Sequence, residues 1–262
     1  MLESLPWVPR TDLLIGRLGG TQIEERAHHL VVRTPENPWY HWGNFIQVTS
    51  GNTSDADHWL GLFSAEFPAA TYRAIGLPTA PDPAPWTARG LAIDTEQALA
   101  NSTAPHVGNP PVGYVVRQVQ GTDWPAYLDH RIRMDETEPH PPHHAEFLEA
   151  KLQRYERLSD AGQAGFFAAW SGAEIVASLG LILLGDFARY QTVVTELPHR
   201  HHGLATYLLS LAAQWAWDRG TPTRIIAADA GSPAQALYER LGFIPLDLSY
   251  GAYVADTAVN PA

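Results

Sequence analysis

The segment best suited to chemistry is Arg-His-His-Gly-Leu-Ala at residues 200–205, between a predicted strand and a predicted amphipathic helix. The first turn of a helix has backbone N–H groups that lack intrahelical acceptors, and it carries a partial positive charge. Such a turn binds anions, and phosphate especially well. Gly203 would leave the backbone open to a bound anion, and the small side chain of Ala205 would help. The spacing alone therefore predicts an anion site at the start of this helix.

Two further segments give the loop a context. A strand pattern, Arg-Tyr-Gln-Thr-Val-Val-Thr, precedes it at residues 189–195, and Ala-Leu-Tyr-Glu-Arg-Leu-Gly-Phe follows it at 236–243. Together with the loop, these motifs resemble the GNAT superfamily of N-acyltransferases over residues 114 to about 254. The resemblance implies an α+β fold in which helices flank a mixed, mostly antiparallel sheet. It also implies direct transfer of an acetyl group from acetyl-CoA, as co-substrate, to a primary amine.

The resemblance implies a role for each matching residue. Backbone amides from His201 to Thr206 would hold the pyrophosphate of acyl-CoA, and the strand end at Val193–Thr195 would pair with the pantetheine arm. Many family members carry an Asn where this chain has Gly231, so the neighbouring Ser232 would take over a contact with that arm. The residues implied to bind the cofactor are Val193, Val194, Thr195, Arg200, His201, His202, Gly203, Leu204, Ala205, Thr206 and Ser232.

Two side chains are expected to carry the chemistry. Tyr238 stands where, in the family, a hydroxyl lies near the thioester sulfur and protonates the leaving thiolate, and the usual Tyr pKa of about 10 suits such a general acid. Glu196 is the carboxylate nearest to the predicted site and is therefore the candidate base, with Asp186, Asp229 and the histidines as rivals. A backbone N–H of the strand would stabilise the oxyanion. The alternative is a non-catalytic acyl-CoA-binding regulatory module that keeps the loop without turnover.

The chain also has two groups of neighbouring histidines, which raise the question of a metal site. They are His199, His201 and His202 near the loop, and His140, His143 and His144 upstream. Metal ligands on a helix usually stand four residues apart on one face, and neither group shows that spacing. We therefore predict no metal; the first group would surround a phosphate, and the second would border the substrate cleft or lie exposed.

A specific order of elements must position these residues in the second half. Apolar periodicity, caps and Gly or Pro stops predict a strand, two helices, three strands, a helix, a strand, a helix and two strands. The predicted ranges are Tyr114–Gln120, a helix from Asp123, Ala145–Leu158, Gly165–Trp170, Ile175–Leu184, Tyr190–Thr195, Gly203–Arg219, Arg224–Asp229, a helix from Ser232 to Gly242, Ile244–Leu248 and Tyr250–Val254. Between the first two helices, residues 134–144 are predicted to form an irregular loop.

A stretch rich in Pro, Gly and Asn, residues 101–113, is predicted to be a linker between an N-terminal α+β lobe, 1–105, and the acyl-CoA-binding domain, 113–262. The first lobe resembles a degenerate GNAT-like copy that lacks the loop motif. Its predicted elements are strands at 29–34, 44–49 and 72–77, a helix from Ser54 and a short helix after Asp94. The aromatic residues Trp39, Tyr40 and Trp42 are expected to pack a domain interface or, alternatively, to line a wall of the acceptor pocket.

Composition narrows the partners and the location. The net charge of −11 argues against nucleic acid and is compatible with amines, so small amines, aminoglycosides, amino acids and peptide N-termini all fit as acceptors. The absence of Cys rules out disulfides, thiolate metal sites and a Cys nucleophile. No signal-like N-terminus and no membrane-length apolar run is present, so the expected location is the cytoplasm. The oligomeric state is not predicted.

Overall fold

The computed structural model describes residues 2–134 and 143–254 of the chain. The fold is α+β, with helices flanking mixed, mostly antiparallel strands, as the sequence predicts. The described residues form two compact units, one drawn from 2–98, 227–237 and 245–254, and the other from 99–134, 143–226 and 238–244. The division into lobes 1–105 and 113–262 stays a prediction.

The first unit contains three helices and six strands among its described residues. They are α1 (Trp7–Leu18), β1 (Gln22–Glu25), β2 (His29–Arg33), β3 (Phe45–Val48), α2 (Ala56–Glu66), β4 (Arg73–Leu77), α3 (Pro83–Thr87), β5 (Ala92–Asn101) and β11 (Ile244–Val254). The strands neighbour one another in the order β1, β2, β3, β4, β11, β5, and among these β3 and β4 run parallel. Strands β2, β3 and β4 bury nearly all of their side chains on both faces. Fully buried Trp59, Phe63 and Trp86 fill the core against Ile46 and Ile75.

The second unit contains the predicted functional segments. Its elements are β6 (Val115–Gln118), α4 (Trp124–Met134), α5 (His144–Asp160), β7 (Ala164–Ser171), β8 (Glu174–Leu183), β9 (Phe187–Thr195), α6 (Leu204–Trp217), β10 (Thr223–Asp229) and α7 (Pro233–Arg240). The strands neighbour one another in the order β10, β9, β8, β7, β6, and all these pairs are antiparallel except β9 with β10. Helix α6 packs on β7, β8 and β9, because its Leu204, Leu208 and Ala212 form one buried face.

Two local predictions are wrong. No helix follows Asp94, because residues 92–101 form β5, in which Ala98 and Leu99 are fully buried and the Gln97 amide donates to the Asp247 carbonyl at 3.0 Å. Tertiary pairing overrides the helix propensity of this stretch. The two predicted C-terminal strands are one strand, β11, which pairs with β4 from Tyr250 onward. The predicted loop at 134–144 falls largely on residues 135–142, outside the described residues.

Candidate functional site

The turn between β9 and α6 leaves a row of backbone amides without acceptors. A short 3-10 turn at Leu197–His199 leads into it, and His201 and Gly203 then take positive φ angles of 67° and 78°. The first helical hydrogen bond runs from the Tyr207 N–H to the Gly203 carbonyl, at 3.0 Å. Within the described chain, no acceptor faces the N–H groups from His201 to Thr206. These amides form a cradle for an anion, since Gly203, at the N-cap, has no side chain to occupy it.

The turn is held in place by its own side chains. The Arg200 Nε donates to the Thr195 carbonyl at 3.1 Å, and the His202 Nδ1 donates to the Arg200 carbonyl at 2.9 Å. The Tyr114 hydroxyl lies 3.0 Å from the His199 Nδ1. The predicted residues 200–206 thus lie together in one turn between β9 and α6. Two of the three histidines of this segment hold the loop's shape through hydrogen bonds, and His201 lies exposed within it.

Strand β9 separates from β10 before it reaches this turn. The parallel pairing runs from Phe187 opposite Thr223 to Arg189 opposite Ile225 and ends there, while β9 itself continues to Thr195. The edge of β9 that faces β10 is therefore available beyond Arg189. This places Val193, Val194 and Thr195, the residues implied to pair with pantetheine, on an opened strand edge.

The other edge of β9 contains a β-bulge. Gln191 lies opposite Gly180 and Val194 opposite Ser178, so three steps along β9 match two along β8. Thr192, inside this bulge, has a φ of 53°, a conformation that is uncommon for a β-branched residue. A bulge turns backbone groups away from the regular ladder. Here it can aim an N–H of β9 towards a carbonyl bound along the strand.

Tyr238 lies on α7 beside the point where β9 and β10 part. Its ring is buried, 6.0 Å from the Phe243 ring, and the charge of Arg189 reaches it. Burial raises the pKa of Tyr238 to about 12, against a smaller lowering by Arg189. Its hydroxyl has no hydrogen-bond partner in the part of the chain that the structure describes. It is therefore a protonated donor without an acceptor.

Glu196 lies just past β9 and contacts helix α4. Its Oε1 lies 3.2 Å from the His130 Nδ1 and 3.1 Å from an Arg133 terminal nitrogen. Burial lowers the pKa of His130 to about 4, so its ring is neutral near pH 7 and Nδ1 must donate to the carboxylate. The Oε2 oxygen has no such contact among residues 2–134 and 143–254. One oxygen of Glu196 is thus fixed while the other is available.

The remaining predicted residues have plainer surroundings. The Ser232 hydroxyl accepts from the Gln235 N–H at 3.2 Å and so caps α7, and the Gly231 N–H donates to the Gln235 side chain at 2.7 Å. Asp186 precedes β9, roughly 20 Å of strand from the bulge at Thr192, which is too far for a base. Asp229 ends β10 and is exposed.

The aromatic segment of the first unit contributes to that unit's own packing. The Trp42 ring lies 5.5 Å from Phe45 and 5.8 Å from Tyr253, and it covers the backbone at Gly251. Trp39 is 41% exposed. Both roles expected for Trp39, Tyr40 and Trp42 stay predictions.

His130, Arg133 and Arg131 were not identified from the sequence. His130 and Arg133 stand 66 and 63 residues before Glu196. The sequence relates the two only to each other, because a spacing of three places them one turn apart on a helix. Arg131 and Lys151, with Thr192, line a small cavity between α4, α5 and β9.

No described helix is long and apolar enough to cross a membrane.

Comparison with known proteins identifies a family for residues 125–243. The sequence profile of the acetyltransferase (GNAT) family matches residues 125–243, which include the loop, β9, Glu196 and Tyr238. No curated protein matches the chain. Nearly the whole chain nevertheless has structural counterparts at low identity, which bear on the fold alone.

Three solved structures illustrate this. A functionally unknown conserved protein from Staphylococcus epidermidis is similar with a TM-score of 0.71 and 11% identity, over 91% of this chain and 95% of that one. A GCN5-related N-acetyltransferase from Kribbella flavida gives 0.60 and 16%, over 94% and 95%. A tandem GNAT protein from the clavulanic acid biosynthesis pathway gives 0.55 and 15%, over 94% and 89%. The family profile shows that residues 125–243 belong to the GNAT acetyltransferase family, and these structures agree with it in fold.

Proposed function

We propose that this protein transfers an acetyl group from acetyl-CoA directly to a primary amine of a small molecule or peptide. Membership of the GNAT family supports acyl transfer from an acyl-CoA. The observation that carries the proposal is the row of amides from His201 to Thr206, which lacks acceptors at the start of α6. A pyrophosphate would supply the acceptors, and the helix dipole would stabilise its charge.

The pantetheine arm would follow the open edge of β9. Its amides can pair with backbone groups of Val193 to Thr195, as an added strand would. The Thr195 carbonyl already accepts from Arg200, so the arm would share or displace that contact. The arm would leave the thioester near the bulge at Thr192, where a strand N–H can stabilise the oxyanion that forms when the amine attacks.

Tyr238 would act on the leaving sulfur by hydrogen bonding. Because burial raises the pKa of its hydroxyl to about 12, the hydroxyl is a far weaker acid than a thiol, whose pKa is about 8.5. Complete proton transfer to the thiolate is therefore unfavourable. A hydrogen bond from the hydroxyl still stabilises the charge that develops on sulfur as the carbon–sulfur bond breaks.

Glu196 would accept the proton of the attacking amine. Arg133 and His130 hold its Oε1, which orients Oε2 as the oxygen available to the amine or to an intervening water. A general base of this kind contributes on the order of 100-fold or more to the rate. The amine attacks the thioester directly, so the mechanism has no covalent enzyme intermediate.

The test is release of the CoA thiol from acetyl-CoA across a panel of amines, with the CoA dissociation constant measured in parallel. We expect amine-dependent release, and a fall in kcat of about 100-fold in Glu196→Gln. The matched control is Asp160→Asn, which removes an exposed carboxylate at the end of α5 and should leave kcat unchanged. Tight CoA binding without release for any amine would instead support the non-catalytic module.

A further inference from the structure

A pocket of the second unit lies between α6 and the end of α7, above β9 and β10. It has a volume of about 310 Å³, and all of its lining residues belong to that unit. Pockets for small molecules typically measure roughly 300–1,000 Å³, so this one has room for a small ligand. The lining includes Leu209, Ser210 and Ala213 of α6, Tyr190 of β9, Arg224 of β10, and Phe243.

The pocket lies beside the paired end of β9 and β10. Arg224 stands opposite Ala188 in the parallel ladder, and Tyr190 follows the last pair directly. The edge of β9 that is implied to bind pantetheine begins three residues further on, at Val193. On α6, Leu209 stands about 8 Å along the axis from the first helical residue. A molecule in the pocket therefore leaves the anion-binding turn and the opened strand edge free for CoA.

Arg224 brings a buried positive charge to the pocket, since only 3% of the residue is exposed. Its terminal nitrogens donate to neutral acceptors, namely the carbonyls of Pro222 and Thr103 and the Asn101 Oδ1. Its Nε is buried and has no hydrogen-bond partner within the described chain. A charge that has been removed from water is costly unless it is both paired and hydrogen-bonded. Arg224 is hydrogen-bonded only.

No carboxylate among the described residues offsets this charge. The lining contains no Asp or Glu, and Arg224 forms no ion pair in the part of the chain that the structure describes. Burial lowers the pKa of Arg224, and the Tyr190 hydroxyl counteracts this only in part. An anionic group in the pocket would supply the missing charge, because opposite charges attract more strongly where water is excluded.

The rest of the pocket suits an apolar body. The Tyr190 and Phe243 rings are buried and lie 6.0 Å apart, edge to face. The hydroxyl groups of the α6 side already have acceptors. The Tyr190 hydroxyl donates to the Leu209 carbonyl at 2.8 Å, and the Ser210 Oγ donates to the Thr206 carbonyl at 3.0 Å. The charge of Arg224 is therefore the main polar demand that a ligand must meet.

We propose that this pocket is a second ligand site, which binds a small monocarboxylate with an apolar body. The carboxylate would lie towards Arg224, and the body would pack on α6 and the Phe243 ring. One buried cation matches one negative charge, so a monoanion is favoured over a dianionic phosphate. The inference goes beyond acetyl transfer and does not depend on it, because the pocket shares no residue with the turn at 200–206.

The experiment measures binding of small probes to the full chain by calorimetry and by amide NMR spectra. The carboxylate probes are hexanoate, phenylacetate and 3-phenylpropionate. We expect saturable binding of at least one of them, with a dissociation constant on the order of 1 mM or below, as suits about ten non-hydrogen atoms. Phenylacetamide, phenethylamine and, at pH 8, benzylphosphonate keep the aromatic body and change the charge. Each should bind at least 10-fold more weakly than phenylacetate.

Variants connect the binding to the pocket. Ser210→Leu places an apolar side chain in the pocket and should weaken the carboxylate at least 10-fold, whereas Ser210→Ala should not. Arg224→Gln should abolish the preference for phenylacetate over phenylacetamide. Arg219→Gln removes an exposed charge just past α6 and should leave both probes unchanged. The thermal midpoint and the CoA dissociation constant show that each variant is folded, and Ser210→Leu tests the site without removing the buried charge.

CoA distinguishes a second site from part of the first. The dissociation constant of phenylacetate should change less than 3-fold when CoA is saturating. Competition between the two would assign the pocket to the CoA site and overturn the inference. So would unchanged affinity in Ser210→Leu, equal binding of phenylacetamide, tighter binding of benzylphosphonate, or no saturable binding of any carboxylate. CoA binding without turnover of any amine would overturn the proposed function and leave this inference standing.

Discussion

Each unit contains one strand–helix–strand segment whose strands run parallel, and the two segments differ at the start of the helix. In β3–α2–β4, the Asp55 side chain caps α2 by accepting from the His58 N–H at 3.2 Å, and Asn52 accepts from the Ser54 N–H at 3.1 Å. In β9–α6–β10, the N-cap is Gly203 and no side chain fills the turn. The first segment has an internal carboxylate where the second is open to an external anion.

The helices that follow the parallel strands show the same contrast. The buried Trp86 of α3 donates its indole N–H to the Thr53 carbonyl at 3.1 Å. Tyr238 of α7 is also buried, yet its hydroxyl has no partner within the described chain. The first segment uses these polar groups to stabilise itself, whereas the second leaves the turn at Gly203 and the Tyr238 hydroxyl without an internal partner among the described residues. We therefore expect ligand binding in the second segment only, because function depends on the site and not on the fold.

The largest expected effect comes from giving α6 the cap that α2 has. Gly203→Asp places a carboxylate at the N-cap, where it competes with the pyrophosphate for the amides and repels it. We expect the dissociation constant of CoA, measured by calorimetry, to rise at least 100-fold, which is about 3 kcal/mol.

Gly220→Asp is the matched control for this variant. Gly220 follows the other end of α6, has a φ of 77° against 78° for Gly203, and also has open space around it. Both variants therefore incur the same backbone strain, and their thermal midpoints should fall alike. Equal loss of CoA affinity in the two variants would show that strain, and not anion competition, controls binding.

The next effect concerns the free hydroxyl of Tyr238. Tyr238→Phe should lower kcat by about 10- to 100-fold, the worth of one hydrogen bond to a developing charge, without changing CoA affinity. Since burial raises the pKa of Tyr238 to about 12, the hydroxyl stays protonated in alkaline solution. The ratio of wild-type to variant kcat should therefore be constant from pH 7 to 10. A ratio that halves near pH 10 would indicate a Tyr of ordinary acidity.

A smaller effect follows from the buried histidine that holds Glu196. Burial lowers the pKa of His130 to about 4, whereas the unfolded chain has the ordinary value of about 6.5. Between these values the unfolded chain binds a proton that the folded chain does not, so stability is lost as the pH falls from about 6.5 to about 4. His130→Gln should reduce this loss by on the order of 2 kcal/mol between pH 7 and 4.5, measured by urea unfolding.

His29 is the counterpart in the first unit. It lies buried in β2, and burial lowers its pKa as well. His29→Gln should act in the same direction with a smaller magnitude. If His130→Gln left the acid dependence of stability unchanged, burial would not lower the pKa of His130 in solution.

The parts of the site made by local backbone are the parts that the sequence could predict. Gly203 between a β-branched strand and an amphipathic helix specifies the turn, and the structure places α6 and β10 within one or two residues of their predicted ranges. The contacts of Glu196 could not be predicted, because His130 is 66 residues away and nothing local specifies their approach. The small cavity lined by Arg131 and Thr192 could not be predicted for the same reason, because it forms only where α4, α5 and β9 meet.

In the first unit, the local sequence signals for helices and strands are weaker than in the second. Helix α1, Trp7–Leu18, contains Pro9 and Gly16, which mask its periodicity, and it was not predicted. Strand β5 consists largely of residues that favour helices or have no strong preference, and pairing within the sheet determines its conformation. The capped start of α2 was predicted near Ser54, because the Ser-Asp-Ala-Asp stretch is a local signal of the same kind as Gly203.

The smallest effect tests the cap in the first unit. Asp55→Ala removes the acceptor of the His58 N–H and should lower the free energy of unfolding by about 1 kcal/mol, whereas Asp55→Asn should retain most of it. Removal of the cap should not create a second CoA site, because the Ser54 and Ala56 amides remain bonded to Asn52 Oδ1 and the Ser54 carbonyl. The CoA stoichiometry by calorimetry should therefore equal that of the wild type. An added equivalent of bound CoA in Asp55→Ala would mean that the carboxylate cap alone separates the two segments.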